Sequence, residues 1–253
     1  ISIHSFRGGT GKSNITANVA AQVACHGRSV GVIDTDVQSP GIHVIFGMSE
    51  DKIDKALNDY LWGRCPIEET AYAVGAQIGG GQIVSQGGEI FLIPSSLRAG
   101  EIARVLRGGY DVGLLNAGFR ALIRNLALDY LFIDTHPGLN EETLLSIAIS
   151  DQLIVILRPD QQDFQGTAVT VDVARKLEVP ALCLVINKAL SSYDFEDLRR
   201  HAEETYSSPV AAILPLSEDV ARMQSADVFS LRYPDHPVTA RIRDITAFVE
   251  SAG

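Results

Sequence analysis

The chain contains little of three things that define other protein classes, namely cysteine, long apolar runs and excess positive charge. Its 253 residues include three cysteines, Cys25, Cys65 and Cys183, which are scattered along the sequence. Because they are odd in number and form no C-x-x-C pair, they argue against a disulfide scaffold and against a tetrahedral metal site. We therefore expect a protein of a reducing, cytoplasmic compartment.

Apolar runs are equally short. None reaches the roughly 18 residues that a membrane-spanning helix needs, and the start of the chain lacks a signal-peptide pattern. Because the sequence begins at Ile1, we expect an initiator methionine or a short leader before it. The formal net charge of −10 argues against attraction of the whole surface to nucleic acid or anionic lipid. It does not exclude a local basic patch.

What the sequence does contain is an alternation of short β-branched runs with longer segments of helical period. This alternation is typical of α/β proteins with a parallel sheet, and several runs are apolar at every position, as in strands covered on both sides. We predict one domain over residues 1–253 with a mostly parallel central sheet and helices on both faces. The predicted strands are Ile1–Ser5, Val30–Asp34, Ile90–Pro94, Tyr130–Asp134, Leu153–Leu157, Leu182–Asn187 and Val210–Leu214.

Apolar stripes predict the helices. The first stripe ends near Gly27, a typical helix stop, whereas residues 70–89 are rich in glycine and glutamine and are expected to form a surface excursion. In the last stripe, Arg241 and Arg243 are balanced by Asp244 and Glu250, so that helix is expected to pack on the core and membrane binding is not expected. The three stripes are Ile15, Val19 and Val23; Val169, Val173 and Leu177 before Pro180; and Val238, Ile242, Ile245 and Val249.

The most informative segment is Phe6–Ser13, which follows a predicted strand and precedes a predicted helix. Its glycines allow turns in which several backbone N–H groups face one concavity, and the helix N-terminus favours bound phosphate. In such a phosphate loop, Lys12 reaches the β- and γ-phosphates and the Ser13 hydroxyl binds Mg²⁺. An ordinary P-loop has glycine at Phe6, so this loop is a variant. The predicted nucleotide-binding residues here are Gly8, Gly9, Thr10, Gly11, Lys12, Ser13 and Asn14.

Five segments, in order, resemble the ParA/MinD family of P-loop ATPases. Arg7–Ser13 is similar to the deviant P-loop of that family, Ile33–Pro40 to its acidic motif, and Phe132–Gly138 to its Walker B motif and following switch. Val185–Lys188 and Leu214–Leu216 lie where the family places a base-contacting strand end and loop. The resemblance is most specific in the first forty residues.

The resemblance implies an ATP-driven switch. Family members bind ATP and Mg²⁺ between two subunits of a homodimer, hydrolysis separates the pair, and a signature lysine reaches the nucleotide of the partner. Arg7 stands at the position of that lysine. A guanidinium keeps its charge and binds phosphate oxygens in pairs, so Arg7 is suited to a catalytic role across the dimer. The alternative is that Arg7 is a solvated loop residue and that the contact has been lost.

Three aspartates end predicted strands or follow them closely. Asp34 and Asp36 lie two residues apart, so their side chains share a face if the strand continues, and two like charges there call for a cation such as Mg²⁺. The resemblance implies that Asp36 positions the attacking water, that Asp34 supports the water shell of the metal, and that Asp134 contacts Mg²⁺ through water. The expected catalytic residues are Asp36, Lys12 and Arg7, and the expected metal-site residues are Ser13, Asp34 and Asp134.

The resemblance also implies a base site. Asn187 and Lys188 follow one strand and Pro215 and Leu216 follow another, and such strand ends meet at the ligand-binding edge of a parallel sheet. Asn187 is expected to contact the adenine, and the Pro215 loop is expected to pack on the adenine. The alternative is that these strand-end residues are ordinary turn residues without a role in binding. His136, where the family usually has a non-ionisable residue, is either a pH-sensitive or partner-contacting switch residue or a plain loop histidine.

The target of the switch stays open. One class is a switch ATPase that positions or partitions a cargo, or regulates an unidentified partner protein, and intact Lys12, Asp36 and Asp134 favour it. Another is a regulator or scaffold that binds nucleotide and barely hydrolyses it, or a MinD-type division-site regulator. A metal-centre maturation factor would need paired cysteines and a metabolic kinase an acceptor pocket, and the sequence has no motif for either.

Non-specific DNA is a further candidate partner. The arginines that could bind it are interleaved with acidic residues, so the sequence has no continuous basic stripe. A mixed, solvated surface is therefore the favoured interpretation, although two subunits together could assemble a modest patch. These arginines are Arg199, Arg200, Arg222, Arg232, Arg241 and Arg243.

Overall fold

The centre of the structure, a computed structural model that describes residues 1–251, is an eight-stranded sheet. Its strands are β1 (Ser2–His4), β2 (Ser29–Asp34), β3 (Tyr72–Ala73), β4 (Glu89–Ile93), β5 (Tyr130–Asp134), β6 (Gln152–Leu157), β7 (Ala181–Ala189) and β8 (Val210–Pro215). They lie in the order β3-β4-β2-β5-β1-β6-β7-β8. β3 runs antiparallel to β4, and the other neighbours are parallel. The predicted strands and the mostly parallel sheet are confirmed.

Helices follow most of the strands and cover both faces of the sheet. Three short 3₁₀ turns lie among them, at Glu50–Lys52, Ile67–Thr70 and Gly79–Gly81. The helices are α1 (Lys12–Cys25), α2 (Ile42–Ile45), α3 (Leu57–Leu61), α4 (Gln82–Ser85), α5 (Ala99–Gly108), α6 (Gly113–Asn125), α7 (Glu141–Ala148), α8 (Gln161–Lys176), α9 (Phe195–Tyr206), α10 (Glu218–Arg222), α11 (Phe229–Arg232) and α12 (Pro237–Ser251). Among residues 1–251, none of these helices is long and apolar enough to cross a membrane.

Alternation along the strands divides the core into two sides. Val32 and Phe132 pack in a cluster with residues of α1, α11 and α12. Their chain neighbours Ile33 and Ile133 point the other way and pack with residues of α6. Successive side chains of a strand face opposite sides of a sheet, so apolar residues at every position require helices on both faces. The predicted layer arrangement is confirmed.

The register between β2 and β5 sets up the site. Val32 lies opposite Phe132, and Asp34 opposite Asp134, at the carboxyl ends of these neighbouring parallel strands. Because parallel strands end at the same edge of a sheet, two carboxylates from distant parts of the sequence become neighbours. The edge that carries them is the one where the loop after β1 leads into α1.

One prediction about surfaces is wrong. Residues 70–89 are not a simple surface excursion, since Val74, Ile78 and Ile83 are buried in the core; their glycine-rich surroundings concealed them. Helix α8 is present as predicted; its buried face carries Val171 and Ala174, whereas the side chain of Val169 is 48% exposed. By contrast, the apolar stripes of α1 and α12 are buried as predicted.

Candidate functional site

The predicted phosphate loop lies at the sheet edge, between β1 and α1. Gly9 and Gly11 adopt left-handed conformations, with φ of 78° and 94°, which glycine adopts at little cost. Gly11 is the N-cap of α1, and its carbonyl accepts a hydrogen bond from the Ile15 N–H at 3.0 Å. The N-terminus of a 14-residue helix therefore faces the loop and favours negative charge there.

Two residues of the predicted base site also hold the loop. The Asn187 amide donates a hydrogen bond to the Thr10 carbonyl at 2.7 Å, and the Lys188 ammonium donates to the Gly9 carbonyl at 2.8 Å. A Cβ atom on Gly11 would lie 2.5 Å from Asn187 Nδ2, so no side chain fits at that position. The end of β7 therefore fixes the backbone of the phosphate loop.

Lys12 and Asp134 form a buried ion pair beneath the loop. Lys12 Nζ donates to Asp134 Oδ1 at 2.9 Å, and the two residues are 7% and 1% exposed. The Thr16 hydroxyl lies 3.2 Å from the same oxygen. Thr16 was not singled out from the sequence, yet it lies one helical turn after Lys12 and so shares its face of α1. That spacing is the signal that could have identified it.

Backbone N–H groups hold the two carboxylates of the acidic motif. Asp34 Oδ1 accepts from the Asp36 N–H at 3.0 Å and Oδ2 from the Gly41 N–H at 3.2 Å, while Asp36 Oδ1 accepts from the Ser39 N–H at 3.0 Å. Burial, reinforced by the charge of Asp134, raises the pKa of Asp34 well above its usual range. Burial also raises the pKa of Asp36. A cation bound beside them would favour their ionised forms.

Two histidines flank the phosphate region. His136 Nε2 lies 3.8 Å from Asp36 Oδ1, and its Nδ1 lies 2.7 Å from the Pro137 carbonyl. His4, which the sequence did not single out, is buried beneath the site with Nδ1 2.8 Å from Thr135 Oγ1. Burial, helped by the nearby charges of Lys12 and His136, lowers the pKa of His4 to about 3. The His4 imidazole is therefore neutral at physiological pH.

Two cavities meet at the loop. One, of about 400 Å³, is lined by the phosphate loop together with Asp36 and His136. The other, of about 340 Å³, lies between the ends of β7 and β8 and the helices α11 and α12. They share Gly11, Asn14 and Ser225 in their linings, so a phosphate chain in one can continue into a base in the other. Asn187, Lys188, Pro215 and Leu216 all line the second cavity.

Arg7 faces the start of α8. Its guanidinium Nη1 lies 3.8 Å from Asp160 Oδ1 and 3.6 Å from Asp163 Oδ1, and its side chain is 41% exposed. Next to it, the Phe6 ring packs so closely on α8 that a Cβ atom on Gly166 would lie 2.1 Å from Phe6 Cδ1. The variant residue of the loop thus fits against a glycine. The role of Arg7 across a dimer stays a prediction.

The donor set fits Mg²⁺ shared with a triphosphate. Within residues 1–251, no three His, Cys, Asp or Glu side chains are arranged to hold a metal by themselves. Mg²⁺ prefers oxygen ligands and commonly binds through one or two carboxylates, waters and phosphate oxygens. Ser13 lines the phosphate cavity, and its hydroxyl, together with Asp34 and Asp134 on the neighbouring strand ends, supplies such oxygens. Ser13 is directly beside Lys12 in the loop.

Together these features define a P-loop NTPase: a glycine loop before a helix, a lysine beneath it and carboxylates on neighbouring strand ends. A family model described as "ParA: NUBPL iron-transfer P-loop NTPase" matches residues 1–249. The chain therefore belongs to this ParA-type family.

Relatives and solved structures agree with that assignment. The chain is 26% identical over 249 residues to an uncharacterized ATP-binding protein of Methanocaldococcus jannaschii, covering 98% of this chain and 86% of the relative. It is 32% identical over 157 residues to the cytosolic Fe-S cluster assembly factor CFD1 of Chaetomium globosum, covering 62% and 47%. The septum site-determining protein MinD of Pyrococcus horikoshii, solved with Mg-ADP, shares the fold with a TM-score of 0.79 at 19% identity, covering 98% and 94%. The match thus spans about half the length of CFD1.

An iron–sulfur cluster does not fit the cysteines of this chain. Protein-bound clusters are held by several cysteine thiolates. Here Cys183 is fully buried in β7, Cys25 is partly buried at the end of α1, and Cys65 is partly buried in the loop after α3. Burial raises the pKa of each of the three thiols, which disfavours the thiolate form. The described residues therefore offer no cluster site of their own.

Proposed function

We propose that this chain is a molecular-switch ATPase that binds Mg-ATP, closes into a nucleotide-sandwich homodimer and returns to the free state after hydrolysis to ADP and phosphate. One observation carries the proposal: Lys12, which contacts the buried Asp134 beneath a glycine loop, lines a phosphate cavity that shares part of its lining with a base-sized one. The ATP-binding name of the M. jannaschii relative and the Mg-ADP bound to MinD of P. horikoshii support the choice of nucleotide.

Backbone and side-chain groups of the loop would bind the phosphates together. Backbone N–H groups from Gly8 to Ser13 would surround the phosphates, and Lys12 would turn from Asp134 to the β- and γ-phosphates. When bound, Mg²⁺ neutralises charge that develops on the phosphates. Ser13, Asp34 and Asp134 would hold the metal and its waters.

Asp36 is the proposed group that orients the attacking water. The Ser39 N–H holds its Oδ1 at 3.0 Å, and His136 lies 3.8 Å from the same oxygen. A carboxylate fixed in this way keeps a hydrogen-bond acceptor directed into the phosphate cavity, whose lining includes Asp36. Positioning of this kind supplies most of the catalysis in phosphoryl transfer.

In the proposed dimer, Arg7 contacts the nucleotide that is bound to the other subunit. Its ion pair with the exposed Asp160 is 3.8 Å long, and exposed pairs contribute little stability. Asp163, 3.6 Å away, is buried but keeps Arg158 as a partner at both carboxylate oxygens. The guanidinium can therefore leave them at small cost and contact the phosphates of the second subunit. The alternative, a purely local role at the start of α8, predicts that Arg7 has no influence on association.

The proposed output is the positioning or partition of a cargo, or regulation of a partner protein. The alternatives are a regulator or scaffold with little hydrolysis and a MinD-type division-site regulator. DNA is not favoured as the track, because most of the candidate arginines pair with acidic residues on the surface: Arg199 with Glu203, Arg200 with Asp197, Arg222 with Glu218, Arg232 with Asp227 and Arg241 with Asp244.

The family description and the name of CFD1 raise iron–sulfur transfer as a role. Because the three cysteines do not form a site, we propose that any cluster on which this switch acts is held by a partner and not by the described residues. The cytosolic naming of CFD1 agrees with the cytoplasmic location expected from the cysteine content.

The proposal is tested by calorimetry with Mg-ATP, light scattering with and without it, and phosphate release. We expect binding, a doubling of mass, and slow turnover. Asp36→Ala should bind ATP as the wild type does and hydrolyse it about 100-fold more slowly, whereas the exposed Asp172→Ala serves as control. Arg7→Ala should bind ATP but lose the doubling of mass. Absence of binding and of mass change in the wild type would refute the function, and unchanged association of Arg7→Ala would refute its role across the dimer.

A further inference from the structure

Thr16 brings a hydroxyl group to the one carboxylate oxygen that Lys12 also contacts. The Thr16 side chain is fully buried, and its Oγ1 lies 3.0 Å from the Lys12 carbonyl and 3.2 Å from Asp134 Oδ1. A hydroxyl has a single proton to donate. It therefore bonds either to the backbone of its own helix or to Asp134 at any moment.

The choice between these two acceptors depends on where Lys12 is. In the free protein the Lys12 ammonium donates to Asp134 Oδ1 at 2.9 Å, so that oxygen already has a strong donor. Once Lys12 contacts a triphosphate, Oδ1 becomes an unpaired charged acceptor in a buried site. Hydrogen bonds to charged acceptors are roughly twice as strong as neutral ones, so the Thr16 proton then favours Asp134 over the Lys12 carbonyl.

We propose that Thr16 is a positioning residue, whose hydroxyl holds Asp134 in the orientation that Mg²⁺ requires while Lys12 is bound to the nucleotide. The role rests on the proposed Mg-ATP function. Without the hydroxyl, Asp134 would lose its last donor from α1 when Lys12 departs, and no group of that helix would then fix the orientation of its carboxylate. The Thr16 hydroxyl thus replaces the Lys12 ammonium as the hydrogen-bond donor to Asp134.

Three variants separate this role from simple packing. Thr16→Val keeps the shape and removes the hydroxyl, while Thr16→Ser keeps the hydroxyl and removes a methyl group. Thr246 is a matched control, because it is buried in α12 and its hydroxyl bonds to the Ile242 carbonyl at 3.0 Å, with no carboxylate in its hydrogen bonds. Thr246→Val therefore measures what loss of such a helical bond does by itself.

The measurement is the affinity for a fluorescent ATP analogue, N-methylanthraniloyl-ATP, once with a chelator and once with saturating Mg²⁺. The gain in affinity that Mg²⁺ provides should fall about tenfold in Thr16→Val, as expected for loss of a hydrogen bond to a charged group. Affinity in the chelator should change less than twofold. Thr16→Ser and Thr246→Val should keep the gain of the wild type. Thermal melting checks that each variant is folded, and Thr16→Ala replaces Thr16→Val if the latter is not.

The outcomes distinguish failure of the proposed Mg-ATP function from failure of the proposed role of Thr16. If the wild type itself shows no gain from Mg²⁺, the proposed Mg-ATP function fails. If the wild type shows the gain and the hydroxyl-free variant shows it equally, only the role of Thr16 fails. The role also fails if affinity falls by the same factor with and without Mg²⁺, or if Thr16→Ser behaves like Thr16→Val, since both results indicate a packing defect.

Discussion

The two halves of the proposed nucleotide site are built in opposite ways. In the phosphate half, Lys12, Asp34 and Asp134 are buried, ionisable and already bonded to protein groups. The base half is a cavity of about 340 Å³ with a largely apolar lining that includes Leu214, Phe229 and other such residues. A ligand must therefore exchange existing bonds in the first half, whereas it only covers surface in the second. We expect the phosphate half to control affinity and the base half to adjust it.

The largest expected effect comes from Lys12→Met. The substitution keeps the aliphatic part of the side chain and removes the ammonium, so Asp134 loses its buried partner and the triphosphate loses its main cation. Affinity for Mg-ATP should fall by about 100-fold or more, as for loss of a buried charged contact. Calorimetry measures this, with the exposed Lys176→Met as control. An affinity within threefold of the wild type would contradict the division between the two halves.

A medium effect is expected from pH, through His4. Its pKa is lowered from 6.5 to about 3 in the fold, so below the unfolded pKa the unfolded chain takes up a proton that the folded chain does not. The stability contributed by neutral His4 is therefore present above about pH 6.5 and is lost as the pH falls toward 3. From pH 7 to pH 5 the loss should reach about 2 kcal/mol.

His4→Gln should remove this dependence, because glutamine does not titrate. Urea unfolding of both proteins at several pH values gives the difference directly, and the other titrating groups cancel in the comparison. If the free energy of unfolding depends on pH equally in wild type and variant between pH 5 and 7, folding does not lower the pKa of His4.

The smallest expected effect lies in the base half. Leu216 lines that cavity and is 58% exposed, so Leu216→Ser removes only part of the apolar contact with a base. Affinity for Mg-ATP should fall about threefold, which corresponds to less than 1 kcal/mol. The control is Leu106→Ser, because Leu106 is 62% exposed on α5, outside both cavities. A loss as large as that of Lys12→Met would reverse the ranking of the two halves.

Those parts of the site that depend on local sequence could be predicted. The phosphate loop needs glycines, a lysine and a helix start within eight residues, and such local requirements can be recognised in the amino-acid sequence. The carboxylates Asp34 and Asp134 could be recognised because each ends an apolar run, and their register across β2 and β5 follows once a parallel sheet is assumed.

Contacts between distant segments were less accessible. Nothing near Asn187 in the sequence indicates that its amide holds the Thr10 carbonyl, and a buried His4 looks like any polar residue in a short strand. The buried face of α8 was hard to predict for a related reason. Periodicity shows that one face of a helix is apolar, but Val169 is exposed because smaller residues of the same helix, such as Ala174, fit against the sheet.

The floor of the base cavity comes from Phe229, Val238 and Ile242, whereas the phosphate loop lies within the first thirteen residues. During synthesis the loop therefore leaves the ribosome long before the surface on which a base can rest. A nascent chain that ends before α12 would lack this floor, so a base would add less to its stability than to that of the complete chain. The contribution of the base to binding can thus appear only after nearly the whole chain has been made and folded.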